Sequence, residues 1–254
     1  MMKSLVALAV FLCVSAAGAD EPAPPEQHLL YVAVPGIGNE LTHGGCGILV
    51  FDIDHNEKFL RRIPTRAADA PGKPDPMKGI CASSITKRLY FGTSKSLTCL
   101  DLLSDKILWE KAYPGGCDRM SISPDGKAVY LPSLEGDWWN DVNAEDGQVL
   151  NQIITKSGSH NTVFAVDGRH VYLAGLKSQI LTIADQPGWI TLSIDGQYAF
   201  VSTGDVIDTR SKKVIAELED ETGQAVASEK LMEIDFRDGV PIRAGDQFGR
   251  GQKR

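Results

Sequence analysis

The residues able to do chemistry in this chain are few, and they come at a regular spacing. Lys78, Asp118, His160 and Trp189 are separated by 40, 42 and 29 positions, and Arg119 and Asn161 follow Asp118 and His160 directly. Two cations, a carboxylate, an imidazole, an amide and an indole are the groups of a polar binding funnel with an aromatic wall. Such residues also cap strands and satisfy backbone groups at turns. His160 is the candidate for proton transfer, because imidazole titrates near neutrality. No serine or cysteine nucleophile pattern accompanies it, and a histidine in a Ser-Gly-Ser-His-Asn turn often serves structure alone. Trp138 and Trp139, flanked by Asp137 and Asp141, could stack a sugar or a quinone, or pack between layers of the fold. His28, His43, His55 and His170 are scattered over unrelated elements, so no metal site is assigned, and no cofactor is identified.

A repeated unit must position these residues. Residues 115–133 (GGCDRMSISPDGKAVYLPS) show it whole: a small-residue turn, a strand through Met120 and Ile122, a Ser-Pro-Asp-Gly turn, and a second strand over 128–131. Strands are expected over 29–34, 48–53 and 59–63, and then over 79–83, 88–92, 97–101 and 107–111. The next copies continue through 138–142 and 149–154, then 161–164, 170–174 and 179–183. Another follows through 189–193, 197–202, 205–208 and 213–218, with one more strand over 230–236. Residues 66–78 read as loop on their Pro and Gly content. Four short strands separated by turn residues make one propeller blade. The equivalent tyrosines Tyr90, Tyr130 and Tyr172 recur after 40 and 42 residues, matching a blade period of ~40–45. Phe200 follows after only 28. The expectation is an all-β chain, a β-propeller of four-stranded blades with about five blades visible. Its ring is incomplete, with a segment missing at 185/186 that leaves the propeller open or distorted. The last strand closes the ring by pairing with the other terminus. In a propeller the residues just before each inner strand ring the channel mouth, which is where Lys78, Asp118, Arg119, His160, Asn161 and Trp189 fall.

The ends suggest a compartment. Residues 1–19 carry Lys3, a short apolar run over 5–14 and an Ala-Gly-Ala exit, the pattern of a cleaved secretory signal peptide. That run is too short to span a bilayer, and no transmembrane segment is expected elsewhere. A periplasmic or extracellular location follows. Residues 20–28 read as a flexible leader, 29–236 as the propeller domain and 237–254 as a polar tail. The net charge of −7, with no cluster of Lys and Arg, excludes nucleic acid as a partner. Cys46, Cys81, Cys99 and Cys117 contain no CxxC pair, so one or two disulfides or buried thiols are both open.

The stretches MSISPDGKAVYLP, VFAVDGRHVYLAG and ITLSIDGQYAFVS resemble the YVTN-type β-propeller repeat of secreted bacterial and archaeal proteins. KGICAS, GGCDRMSISPDG and QPGWITLSIDG look closest to exported bacterial propellers. Those are similar in fold to the heavy chain of quinoprotein amine dehydrogenases and to the propeller domain of nitrous oxide reductase. The resemblance implies a seven-bladed parent ring. It implies a protein that binds a small molecule or a protein partner at the channel mouth. The alternative is a quinoprotein-like oxidoreductase subunit or a lactonase-like hydrolase using the same funnel.

Overall fold

The computed structural model describes residues 25–37, 41–65, 68–70, 73–154, 159–164, 171–174 and 189–246. In chain order the strands are β1 (Glu26–Val34), β2 (Gly47–Asp52), β3 (Lys58–Ile63), β4 (Ala68–Ala70), β5 (Lys73–Pro74), β6 (Met77–Ser83), β7 (Arg88–Thr93), β8 (Ser96–Asp101) and β9 (Ile107–Ala112). They continue as β10 (Ser121–Ile122), β11 (Ala128–Pro132), β12 (Trp138–Asn143), β13 (Val149–Ile154), β14 (Asn161–Phe164) and β15 (Val171–Ala174). The last are β16 (Ile190–Leu192), β17 (Tyr198–Val201), β18 (Asp205–Asp208), β19 (Lys213–Glu217), β20 (Leu231–Arg237) and β21 (Val240–Ala244). Among the described residues the only helical element is the short turn Ile53–His55.

Three sheets are four-stranded antiparallel blades in simple chain order: β6 to β9, β10 to β13 and β16 to β19. A further sheet pairs β14 with β15, and the closing sheet runs β21-β20-β1-β2-β3. The architecture is an incomplete β-propeller. Its hairpins are shaped by one turn chemistry used twice. At Ser123 and Ser193 the hydroxyl donates to the carboxylate two residues on, Asp125 or Asp195, at 2.7 Å. That carboxylate then accepts the amide of Lys127 or Gln197, while Gly126 and Gly196 take the positive φ the turn requires.

Strand β1, which lies between β20 and β2, is buried on both faces from Leu29 onward, so alternation splits its side chains between two interfaces. On β1, Leu29, Tyr31 and Ala33 pack toward Ile80, Leu89 and Phe91 of the second blade. Leu30, Val32 and Val34 pack the other way, toward Phe200, Val206 and Leu218 of the last blade. A third apolar layer joins the second and third blades through Tyr90, Cys99, Met120, Val129 and Val142. These layers supply the driving force for stacking blade on blade.

The expected closure forms: β20 pairs antiparallel with β1 from Glu26↔Arg237 to Val32↔Leu231. Ile190 of the inner strand β16 is half exposed, where apolar residues of the inner strands β6 and β20 are buried. The strand expected over 179–183 and the junction at 185/186 lie outside the described residues, as do residues 1–24.

Two local expectations are corrected. The stretch read as loop over 66–78 contains the small hairpin β4–β5 and the start of β6. The stretch read as polar tail begins with β21, which pairs with β20 from Ile234↔Ala244 to Arg237↔Val240. Its own five residues, VPIRA, carry a proline and no sustained alternation, so they announce no strand. The four cysteines among the described residues are free thiols, and burial pushes those of Cys81, Cys99 and Cys117 upward in pKa.

Candidate functional site

Inner strands of neighbouring blades start side by side, and this brings residues of one repeat position into contact. Lys78 lies at the start of β6, Asp118 and Arg119 just before β10, His160 just before β14, and Trp189 just before β16. Backbone bonds hold these starts: the Asp118 amide donates to Pro132 O at 3.0 Å, and the Ser202 amide to Trp189 O at 2.9 Å. Arg119 and Asn161 form a parallel bridge between the third and fourth sheets. Gly79 makes the approach of the second and third blades feasible. A Cβ there would lie 3.0 Å from both Arg119 Cα and Asp118 O.

The side chains form a continuous polar network. His160 Nδ1 stands 2.6 Å from Asp118 Oδ2, and its Nε2 stands 3.0 Å from Arg119 Nη1. A guanidinium can only donate, so Nε2 accepts and the ring proton sits on Nδ1, donated to Asp118. Arg119 Nη2 donates to Glu229 Oε2 at 2.8 Å, and Lys230 Nζ donates to the same oxygen at 2.8 Å. The Arg119 guanidinium also lies over the Trp189 ring, 5.1 Å from its centroid.

Lys78, Asp118, Arg119, His160, Glu229 and Lys230 line one cleft of about 240 Å³, together with Gly36, Ile37, Met77 and Leu134. Four of the six residues expected at the mouth therefore share a cleft. Trp189 backs Arg119, and Asn161 stands behind the network with its Oδ1 buried and without a hydrogen-bond partner.

Glu229 and Lys230 are the functional residues that the repeat spacing missed. They occupy the same position as the others, immediately before the inner strand β20. The ruler used for the other blades is the Asp-Gly hairpin between the inner strand and the next. In the closing sheet those two strands come from opposite ends of the chain, so no such hairpin marks the place. Burial, reinforced by the charge of Arg119, draws the Lys230 ammonium down to about 8. Burial works against the Glu229 carboxylate, yet its bond to Lys230 and the charge of Arg119 hold it below the usual range.

Three cations face two carboxylates here, so the cleft is positive in a chain of net charge −7. Two donors are unspent. Lys78 meets no carboxylate among the described residues, and Arg119 Nε is buried without a partner. In contrast, the Trp138-Trp139 pair serves packing. Trp139 is fully buried and its Nε1 donates to Thr162 Oγ1 at 2.9 Å, while Trp138 lies against Gly115 and Gly136.

No protein-family model matches the chain, and no curated protein matches it. Solved structures give fold-level likeness. The dihydro-heme d1 dehydrogenase NirN, in complex with DHE, is 18% identical at a TM-score of 0.43, with 86% of this chain and 53% of that one covered. A protein of unknown function from Bacteroides caccae is 18% identical at 0.39, covering 79% and 74%. Saccharomyces cerevisiae Sqt1 is 14% identical at 0.42, covering 57% and 43%. The chain thus spans about half the length of the first of these proteins.

Proposed function

We propose that this chain is a binding propeller whose channel mouth takes a small anionic molecule, held by Lys78 and Arg119 with Lys230 behind them. The observation that carries this reading is the excess positive charge of the cleft, in which Lys78 meets no carboxylate among the described residues. An anion in the cleft would supply the acceptor that Lys78 lacks through a charge-assisted hydrogen bond. Proton transfer by His160 is less well supported. Both ring nitrogens are engaged, and Nε2 would have to leave Arg119 before it could accept a proton from a substrate. The export reading rests on residues 1–19 of the sequence. Among the described residues no helix is long and apolar enough to cross a membrane.

The test is calorimetric titration of the full chain with citrate, succinate and inorganic phosphate, with a neutral sugar as control. At least one anion is expected to bind, and Lys78→Gln and Arg119→Gln are each expected to weaken it about tenfold, the size of one lost charged hydrogen bond. Equal binding by both variants, or binding of the sugar alone, would overturn the proposal.

A further inference from the structure

At the opposite end of the closing strands from the mouth, the pairing of the two chain ends gathers a second polar cluster. Glu26 and His28 sit two residues apart on β1 and so share a face. Asp235 faces His28 directly across the ladder with β20. One potential ligand atom from each of the three lies within 4.8 Å of the others. Two further observations point to a cation.

The first concerns Asp235. It is fully buried, and its Oδ2 accepts from Arg243 Nε at 2.5 Å. Its Oδ1 is sealed from solvent and accepts from no N–H group, and the other side chain hydrogen-bonded to Asp235 is the buried carboxyl of Glu233. The second concerns His28. Asp54 holds this residue twice, accepting its backbone amide at 2.9 Å and its ring Nδ1 at 2.7 Å. That fixes the ring so that Nε2 turns into the cluster, 3.9 Å from Glu26 Oε2 and beyond hydrogen-bond reach. A carboxylate on one imidazole nitrogen with the other aimed at an acidic group is the arrangement that orients metal-binding histidines.

We propose that Glu26, His28 and Asp235 form a site for a divalent metal of the zinc class, with Asp54 orienting the imidazole and Arg243 as its built-in competitor. Imidazole with two carboxylates suits zinc better than calcium or magnesium, which prefer oxygen alone. Tetrahedral coordination brings ligand atoms to roughly 3.3 Å from one another. The cluster must therefore contract, and the Glu26 side chain, about one-third exposed, is the one that moves toward the fixed His28 ring and Asp235. Arg243 now bridges Glu26 Oε2 and Asp235 Oδ2, both at 2.5 Å, and Arg237 also bonds Glu26. The Arg243 side chain is half exposed on β21, so metal can send it back to solvent. Bound there, a metal would tie β1 to β20 and act as a clasp on the closed end of the ring.

The experiment uses the full chain in a Cys46→Ser background, because Cys46 is the cysteine among the described residues that is not buried. Zinc is titrated against a fluorescent chelator, with calcium and magnesium as competitors. One zinc per chain is expected, unaffected by the competitors. His28→Gln, whose amide can still donate to Asp54, should lower the affinity at least tenfold. Asp54→Asn should lower it by roughly tenfold to a hundredfold. Arg243→Gln, which removes the competing cation, should raise it several-fold. Zinc binding unchanged in His28→Gln, no gain in Arg243→Gln, or no binding at micromolar zinc in either the parent or Arg243→Gln would each overturn the proposal.

Discussion

Gly79→Ala is the substitution expected to separate the role of blade packing at the mouth from that of the mouth residues themselves. Neither Gly79 nor Gly92 has the positive φ that excludes other residues, so alanine is conformationally allowed at both and steric fit alone differs. At Gly79 the new methyl would meet backbone, 3.0 Å from Arg119 Cα and Asp118 O, and also Met120 Sδ at 2.9 Å. Ordinary contact begins near 3.4 Å, so the start of β10 must retreat by several tenths of an ångström. At Gly92 the tightest contact is Met120 Cε at 2.5 Å, the mobile end of a flexible side chain, followed by Cys117 Cβ at 3.2 Å. Overpacking against backbone costs about 1–3 kcal/mol, whereas replacing a strand glycine returns about 0.5–1 kcal/mol of backbone entropy. Gly79→Ala should therefore be destabilised by about 1–2 kcal/mol in urea denaturation, and Gly92→Ala should lie within about 0.5 kcal/mol of the parent. Only the first should disturb His160, whose Nε2 depends on where Arg119 starts. Nitrogen NMR of the His160 ring should show the Nδ1–H tautomer in the parent and in Gly92→Ala, and a mixture in Gly79→Ala. Equal stability losses, or an unchanged His160 spectrum in Gly79→Ala, would refute the steric reasoning.

Lys230, drawn down from 10.5 to about 8 by burial, should lose its charge as the pH rises through that value. Anion affinity at the mouth should then fall between pH 7 and 9.5, a step that calorimetry should find absent in Lys230→Met. Because the folded pKa lies below the unfolded one, the unfolded chain holds more protons between about 8 and 10.5, so Lys230's contribution to stability grows over that window. Tyr90→Phe removes a buried hydroxyl that donates to Ala144 O at 2.9 Å. Arg88 also donates to that carbonyl, so urea denaturation should report a loss of only about 1 kcal/mol. Trp139→Phe should cost more, about 1–3 kcal/mol by the same assay, since it strands the buried Thr162 hydroxyl that links the third and fourth sheets.

The fold was legible wherever a strand and its neighbour are joined by a short turn. Ser123, Asp125 and Gly126 announce a hairpin because each makes a local bond or angle that the turn demands, and the same holds at Ser193, Asp195 and Gly196. Laid along the chain, that hairpin put Lys78, Asp118, Arg119 and His160 on a single cleft. What stayed hidden depends on partners distant in sequence. Glu229 and Lys230 reach the mouth on a strand whose neighbour, β1, lies at the other end of the chain. The cluster of Glu26, His28 and Asp235 escapes for the same reason, since two residues of β1 mean nothing chemically until β20 sets a carboxylate opposite them. The four cysteines were ambiguous because spacing alone does not say whether a strand turns a thiol toward another thiol or into a core. Here Cys81, Cys99 and Cys117 go into the core between the second and third blades.

The pairing of β1 with β20 also sets an order of events. Arg237 meets Glu26 across 211 positions of chain, so β1 is made long before the strand that covers it. Until β20 arrives, Leu30 to Val34 is an apolar strand with a free edge, the kind of segment that pairs with copies of itself. The second and third blades can stack from neighbouring segments in the meantime, but the first blade must wait for β20. Yield on refolding should therefore fall steeply with protein concentration, and a binder that shields the edge of β1 during synthesis should raise it.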